Sequence, residues 1–176
     1  MLNFVSCVAL GASALGGGCI ATDTIEFVPV ENFPPSIISQ ASAEFPLNQI
    51  GELNLDEPLL PGEPAAMPLQ VSIRDPNFDQ TLDYRIFLDA PEPPAAEFPI
   101  QDGEIDPTGF LDRPRTFEIA YNDLVPGFCH KIELVVAGKF ASTVEQRRPV
   151  EPGDFDQVTW WVEVTDSDHP IAERCQ

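Results

Sequence analysis

The stretch Val158-Thr159-Trp160-Trp161-Val162-Glu163-Val164-Thr165 alternates residues that favour a core with residues that tolerate water. Successive residues of a strand point to opposite faces, which puts Val158, Trp160, Val162 and Val164 on one side and Thr159, Trp161, Glu163 and Thr165 on the other. The same period of two runs through 69–74, 82–89, 116–121 and 131–136, and more weakly through 36–42 and 50–55. No window carries the period of an amphipathic helix. One buried and one wet face per strand is the pattern of antiparallel sheets. About seven such strands, separated by turn signals, predict an all-β fold built as an antiparallel sandwich.

Composition agrees. The chain has 176 residues, of which 43% are hydrophobic and 12 are Phe, enough to bury a core in one domain. Its 19 prolines favour loops over helices. Two acidic, proline-rich segments, 57–68 and 91–99, are expected to be exposed loops of polyproline character. There are 29 Asp and Glu against 9 Lys and Arg, a net charge of −20. Such a surface repels phosphate backbones, which excludes nucleic acid as a partner, and it disfavours a peripheral helix on anionic lipid.

The amino-terminal stretch is different. No charge appears before Asp23, and Phe4, Val5, Val8, Ala9, Leu10, Ala12, Ala14 and Leu15 lead into Gly16-Gly17-Gly18-Cys19. An apolar run followed by small residues has the form of an export signal. The segment Leu15-Gly16-Gly17-Gly18-Cys19 resembles the lipobox of bacterial lipoproteins, although Leu15 stands four residues before the Cys and the run has no leading Lys or Arg. That resemblance implies removal of 1–18 and a lipid on Cys19, with a retained anchor or plain secretion as the alternatives. Ile20 after the Cys implies outer-membrane sorting within the cell envelope; secreted or periplasmic release is the alternative. A tether over 19–34 would then lead to a domain over 35–176. With Cys7 removed and Cys19 lipidated, Cys129 and Cys175 remain, and two thiols in an exported domain most simply form a disulfide.

A second resemblance enters at Leu124-Val125-Pro126-Gly127-Phe128-Cys129-His130, which is similar to the Leu-x-Pro-Gly-x-x-Tyr corner of fibronectin type III domains, with His130 in the place of Tyr. Asn32-Phe33-Pro34-Pro35 resembles the lead-in to the first strand of bacterial immunoglobulin-like domains. Together these imply an immunoglobulin-like sandwich over about 32–166. An antibody-type domain is excluded, because no Trp lies in the third strand and no Cys pair joins the second and sixth.

Candidate sites follow from residue type. There is no Gly-x-Ser-x-Gly elbow, and enzymatic activity is not expected. His130 is expected to be a hydrogen-bonded corner residue, and Asp166-Ser167-Asp168-His169-Pro170 a turn. Asp75, Asn77, Asp79 and Asp83 place oxygens at alternate positions, as in the first half of a calcium loop, although Gln80 stands where the helix–loop–helix version needs Gly. An Asp-Pro-Asn turn is the competing reading, and no other cofactor is indicated. Trp161 falls on the outer face, where it either anchors a partner or is covered by loops or the stapled carboxy-terminal tail. The long connection 138–156 holds Lys139, Arg147 and Arg148, a cationic spot on an acidic body, with room for a short helix over 141–146. The expectation is a non-catalytic envelope lipoprotein, held at the membrane by its lipid, whose immunoglobulin-like module binds an envelope protein or glycan or acts structurally. The alternative is a calcium-dependent adhesion or wall-associated domain.

Overall fold

The computed structural model describes residues 32–40, 42–57, 65–89, 98–141, 146–171 and 174–175. The signal, Cys19 and nearly all of the tether lie outside the described residues, as do 142–145 of the expected short helix and residues 58–64 and 91–97 of the two proline-rich segments. Asn32–Gln176 forms one compact unit.

The described residues contain eight strands: β1 (Ser36–Ser39), β2 (Ile50–Asn54), β3 (Ala66–Arg74), β4 (Leu82–Leu88), β5 (Gln101–Ile105), β6 (Asp112–Ala120), β7 (Cys129–Ala137) and β8 (Phe155–Thr165). They form a three-stranded sheet in the order β1-β3-β6 and a five-stranded sheet in the order β2-β8-β7-β4-β5. Among them, no helix is long and apolar enough to cross a membrane.

Three expectations need correction. The strand beyond the expected seven is β5, whose sequence Gln-Asp-Gly-Glu-Ile has few strand formers; it pairs with β4 in the register Leu82 to Ile105. The second sheet is not purely antiparallel. Strand β2 runs parallel to β8, with Gly51 opposite Val162 and Leu53 opposite Val164. Finally, Ala66, Met67 and Pro68, expected in a loop, open β3. Pro68 is tolerated there because β1 reaches only as far as Val71 on that side, so no neighbour needs its missing N–H.

Both sheets feed one core. Ile37, Met67, Leu69, Val71, Ile73, Phe117 and Ile119 come from the three-stranded sheet, and Leu82, Ile86, Ile132, Leu134, Val136, Trp160, Val162 and Val164 from the five-stranded one. The expected phase holds in β8, where Trp160 is buried and Trp161 half-buried, but Phe87, Glu133 and Val135, expected on the wet face of β4 and β7, are buried. The Trp160 indole N–H donates to the Phe45 carbonyl at 2.9 Å, which ties the segment between β1 and β2 over the core.

Candidate functional site

Four chain segments meet where β3 gives way to β4. They are the lead-in 32–35, the β3–β4 connection 75–81, the β5–β6 connection 106–111 and the described parts of the β7–β8 connection, 138–141 and 146–154. The register requires this, since Ser36 and Asp112 both lie opposite Arg74, Leu82 opposite Ile105 and Ala137 opposite Phe155. The anchor of the cluster is Arg113, fully buried although it is the second residue of β6. Its Nη2 donates to Asp75 Oδ2 at 3.0 Å and to the Asn77 carbonyl at 3.1 Å, and its Nη1 to the Gln80 carbonyl at 2.7 Å. A planar guanidinium with several donors can satisfy such a ring of oxygens at once.

Those oxygens belong to the segment in which calcium ligands were expected. Asp75 Oδ1 accepts from the Asn77 N–H at 2.8 Å, the turn that the competing reading describes. The four candidates do not converge: Asp75 is buried against Arg113, Asp79 is exposed, and Asp83 lies on β4, where it accepts from the Phe140 N–H at 3.4 Å. Among the described residues no three His, Cys, Asp or Glu form a group that could hold a metal. Where a calcium loop would gather its oxygens around an ion, this loop gathers them around a guanidinium.

Asn32 and Asn77 extend the cluster. The Asn77 amide donates to Asn32 Oδ1 at 2.7 Å and to the Phe33 carbonyl at 3.0 Å, and the Asn32 amide donates to Glu151 at 3.0 Å. Asp154 is buried behind them, with Oδ1 unpartnered among the described residues. Burial pushes the carboxyls of Asp154 and Asp75 above the ordinary range, against the opposing bonds from Asn32 and from the Asn77 N–H respectively. Gly138 is required here, because a Cβ would collide with the Asp154 carboxylate.

The outer face of the five-stranded sheet is the second region of interest. Phe87, Val135, Ala137 and Phe140 form a small apolar cluster of their own, covered by the β7–β8 connection folding back. Arg147 holds that connection down. It makes two bonds to Glu133, at 3.0 and 2.8 Å, and its guanidinium lies 4.5 Å over the Phe87 ring. Arg85 stacks 4.2 Å over Phe140 and donates to the Gln146 carbonyl at 2.6 Å. The cationic spot expected of Lys139, Arg147 and Arg148 is therefore divided: Arg147 is engaged internally, while Lys139 and Arg148 are exposed. Beyond this cover, Trp161 lies between Ile50 on β2 and Lys131 on β7, and Ile50 is exposed.

At the opposite end Pro126-Gly127 turns the chain into β7, with Gly127 at φ 86°, a conformation only glycine adopts cheaply. His130 is buried there. Its Nδ1 lies 2.6 Å from Asp89 Oδ2, and its Nε2 lies 2.9 Å from both the N–H and the carbonyl of Val125. Asp89 itself takes a left-handed φ of 48° and accepts from the Lys131 N–H at 2.8 Å. The Cys129–Cys175 disulfide is present, with Cα atoms 5.3 Å apart, and Asp166 bonds back to His169 in the expected turn.

Sequence reading singled out neither Arg113 nor Asp89. A signal for Arg113 was available: extending the alternation of Phe117 and Ile119 back along β6 puts residue 113 on the core face, where a charged side chain needs a partner. No family model, no curated protein and no solved structure matches the chain.

Proposed function

We propose that the protein is a lipid-anchored module of a bacterial cell envelope, attached through Cys19, whose immunoglobulin-like domain is non-catalytic and engages an envelope protein or glycan. Two features support the immunoglobulin-like part. Strand order β1-β3-β6 against β2-β8-β7-β4-β5, with β2 parallel to β8, suits that architecture, with the first edge strand divided between the sheets. His130 bonds back to Val125, five residues upstream, the bond that a corner tyrosine makes in such domains.

The observation that carries the binding role is the strip formed by Trp161 and Ile50. A half-buried Trp beside an exposed Ile, at the β2 edge and clear of the folded-back connection, has the composition of an interface anchor. Lys131, opposite Trp161 in the β7–β8 register, adds a polar border. Mild crosslinking in the native envelope, followed by purification and mass analysis, tests the role. One dominant partner, lost on Trp161→Ala, is expected. An unchanged pattern in that variant would assign the contact elsewhere, and no protein partner, with or without calcium, would reject the protein-binding role and leave glycan binding or a structural role. The calcium-dependent reading is weaker because Arg113 fills the candidate loop; a melting temperature unchanged on calcium titration is expected.

A further inference from the structure

The geometry points to a defined orientation on the membrane: we infer that the end bearing Phe33, Phe78, Phe110 and Leu111 rests on the lipid surface. All four side chains are exposed, Phe110 by 73%. They come from three separate segments, yet the polar cluster holds those segments together. The Phe33 carbonyl accepts from Asn77, next to Phe78, and the Leu111 carbonyl accepts from the Asp75 N–H at 3.0 Å. Arg113 then fixes Asp75, Asn77 and Gln80 from beneath. The result is an apolar rim on a pinned base, the form in which side chains enter a headgroup layer without first having to be ordered.

Exposed apolar residues alone do not name an occupant, and the opposite end also exposes Phe98, Val125 and Phe128. The two ends differ in where the chain arrives. Asn32 is bound to the β3–β4 and β7–β8 connections, so everything before it joins the domain at the Phe33 end. Between Cys19 and Asn32 stand the residues Ile20 to Glu31, which can span at most ~45 Å when fully extended. A lipid on Cys19 would keep this end close to the bilayer. Of the carboxylates at this end, Asp75 is matched by Arg113 and Asp112 by Arg74 at 2.8 Å, while Asp79, Asp106 and Glu151 are exposed, so the surface it meets is a zwitterionic rather than an anionic one. The inference rests on lipidation of Cys19 and adds which face of the domain meets the lipid.

The test uses the mature lipidated chain in phosphatidylcholine vesicles whose acyl chains carry bromine, a short-range quencher of Trp emission. Phe110→Trp and Phe98→Trp are compared with the parent, whose Trp160 and Trp161 signal is subtracted. Both sites are highly exposed, so the substitutions leave the core intact. Blue-shifted, quenched emission from Phe110→Trp, with unquenched emission from Phe98→Trp, is the expected result. Equal quenching of the two, or none at Phe110→Trp while the protein floats with the vesicles, would overturn the orientation and leave the anchor standing. Failure to float would remove the anchor and the orientation with it.

Discussion

Arg113 shows how one side chain can decide the character of a loop. Its guanidinium and the Asp75 carboxylate are both fully buried, and breaking a buried pair leaves the survivor uncompensated. Arg113→Met should therefore cost ~3–5 kcal/mol in urea unfolding, and adding Asp75→Asn should recover part of the loss, because the orphaned charge goes with it. Asp154 acts in the opposite sense. Burial raises its carboxyl above the ordinary value, so the folded state binds the proton more tightly than the unfolded state does. Its contribution is fully present below the unfolded value and is lost as pH rises through the folded one. Asp154→Asn should accordingly raise the melting temperature at neutral pH, with the gain shrinking on acidification towards the carboxylate range. A gain that grew on acidification would contradict this sign. Arg113 was not conspicuous in the sequence, since its partner Asp75 is 38 positions away and only the β3–β6 pairing brings the two together.

The strands were legible to the degree that their own side chains carried the information. Strands β3, β4, β7 and β8 each present apolar residues at alternate positions to a single core, and that period is local. Strand β5 is an edge strand whose place is set by β4. Its inward-facing Gly103 leaves room for the Tyr84 ring, which lies 2.9 Å from where a Cβ would sit. A glycine flanked by acids reads locally as a turn, so the signal was in the partner. The parallel pairing of β2 was hidden for a similar reason, because strand direction depends on where the chain re-enters the sheet. Past the C-terminal end of β8 the disulfide joins Cys175 to Cys129 across a separation of 46 residues. Reduction should cost ~3–4 kcal/mol. Hydrogen exchange should show the loss in 166–175 and the first residues of β7 before it appears in β3 or β6. Uniform loosening would mean that the staple supports the core directly.

At the scale of the molecule, an acidic body keeps its few cations occupied. Arg74, Arg85, Arg113 and Arg147 all serve the fold, each bonded to a carboxylate or a carbonyl. The loop that carries Lys139, Arg147 and Arg148 also packs over Phe87, Val135 and Ala137, pinned by Arg147 to Glu133. Two apolar features stand on this acidic surface: the Trp161 and Ile50 strip on one face and the phenylalanine rim at the end where the chain arrives. In the proposed arrangement, a domain tethered by lipid at one end and open on a lateral strip would hold a partner beside the membrane. That arrangement depends on Cys19. Metabolic labelling of cells with an acyl-chain probe, with the mature chain then weighed, tests it most directly. The account predicts a labelled chain beginning at a lipidated Cys19 and no label on Cys19→Ala; an unlabelled mature chain, or a variant that still takes the probe, would contradict it.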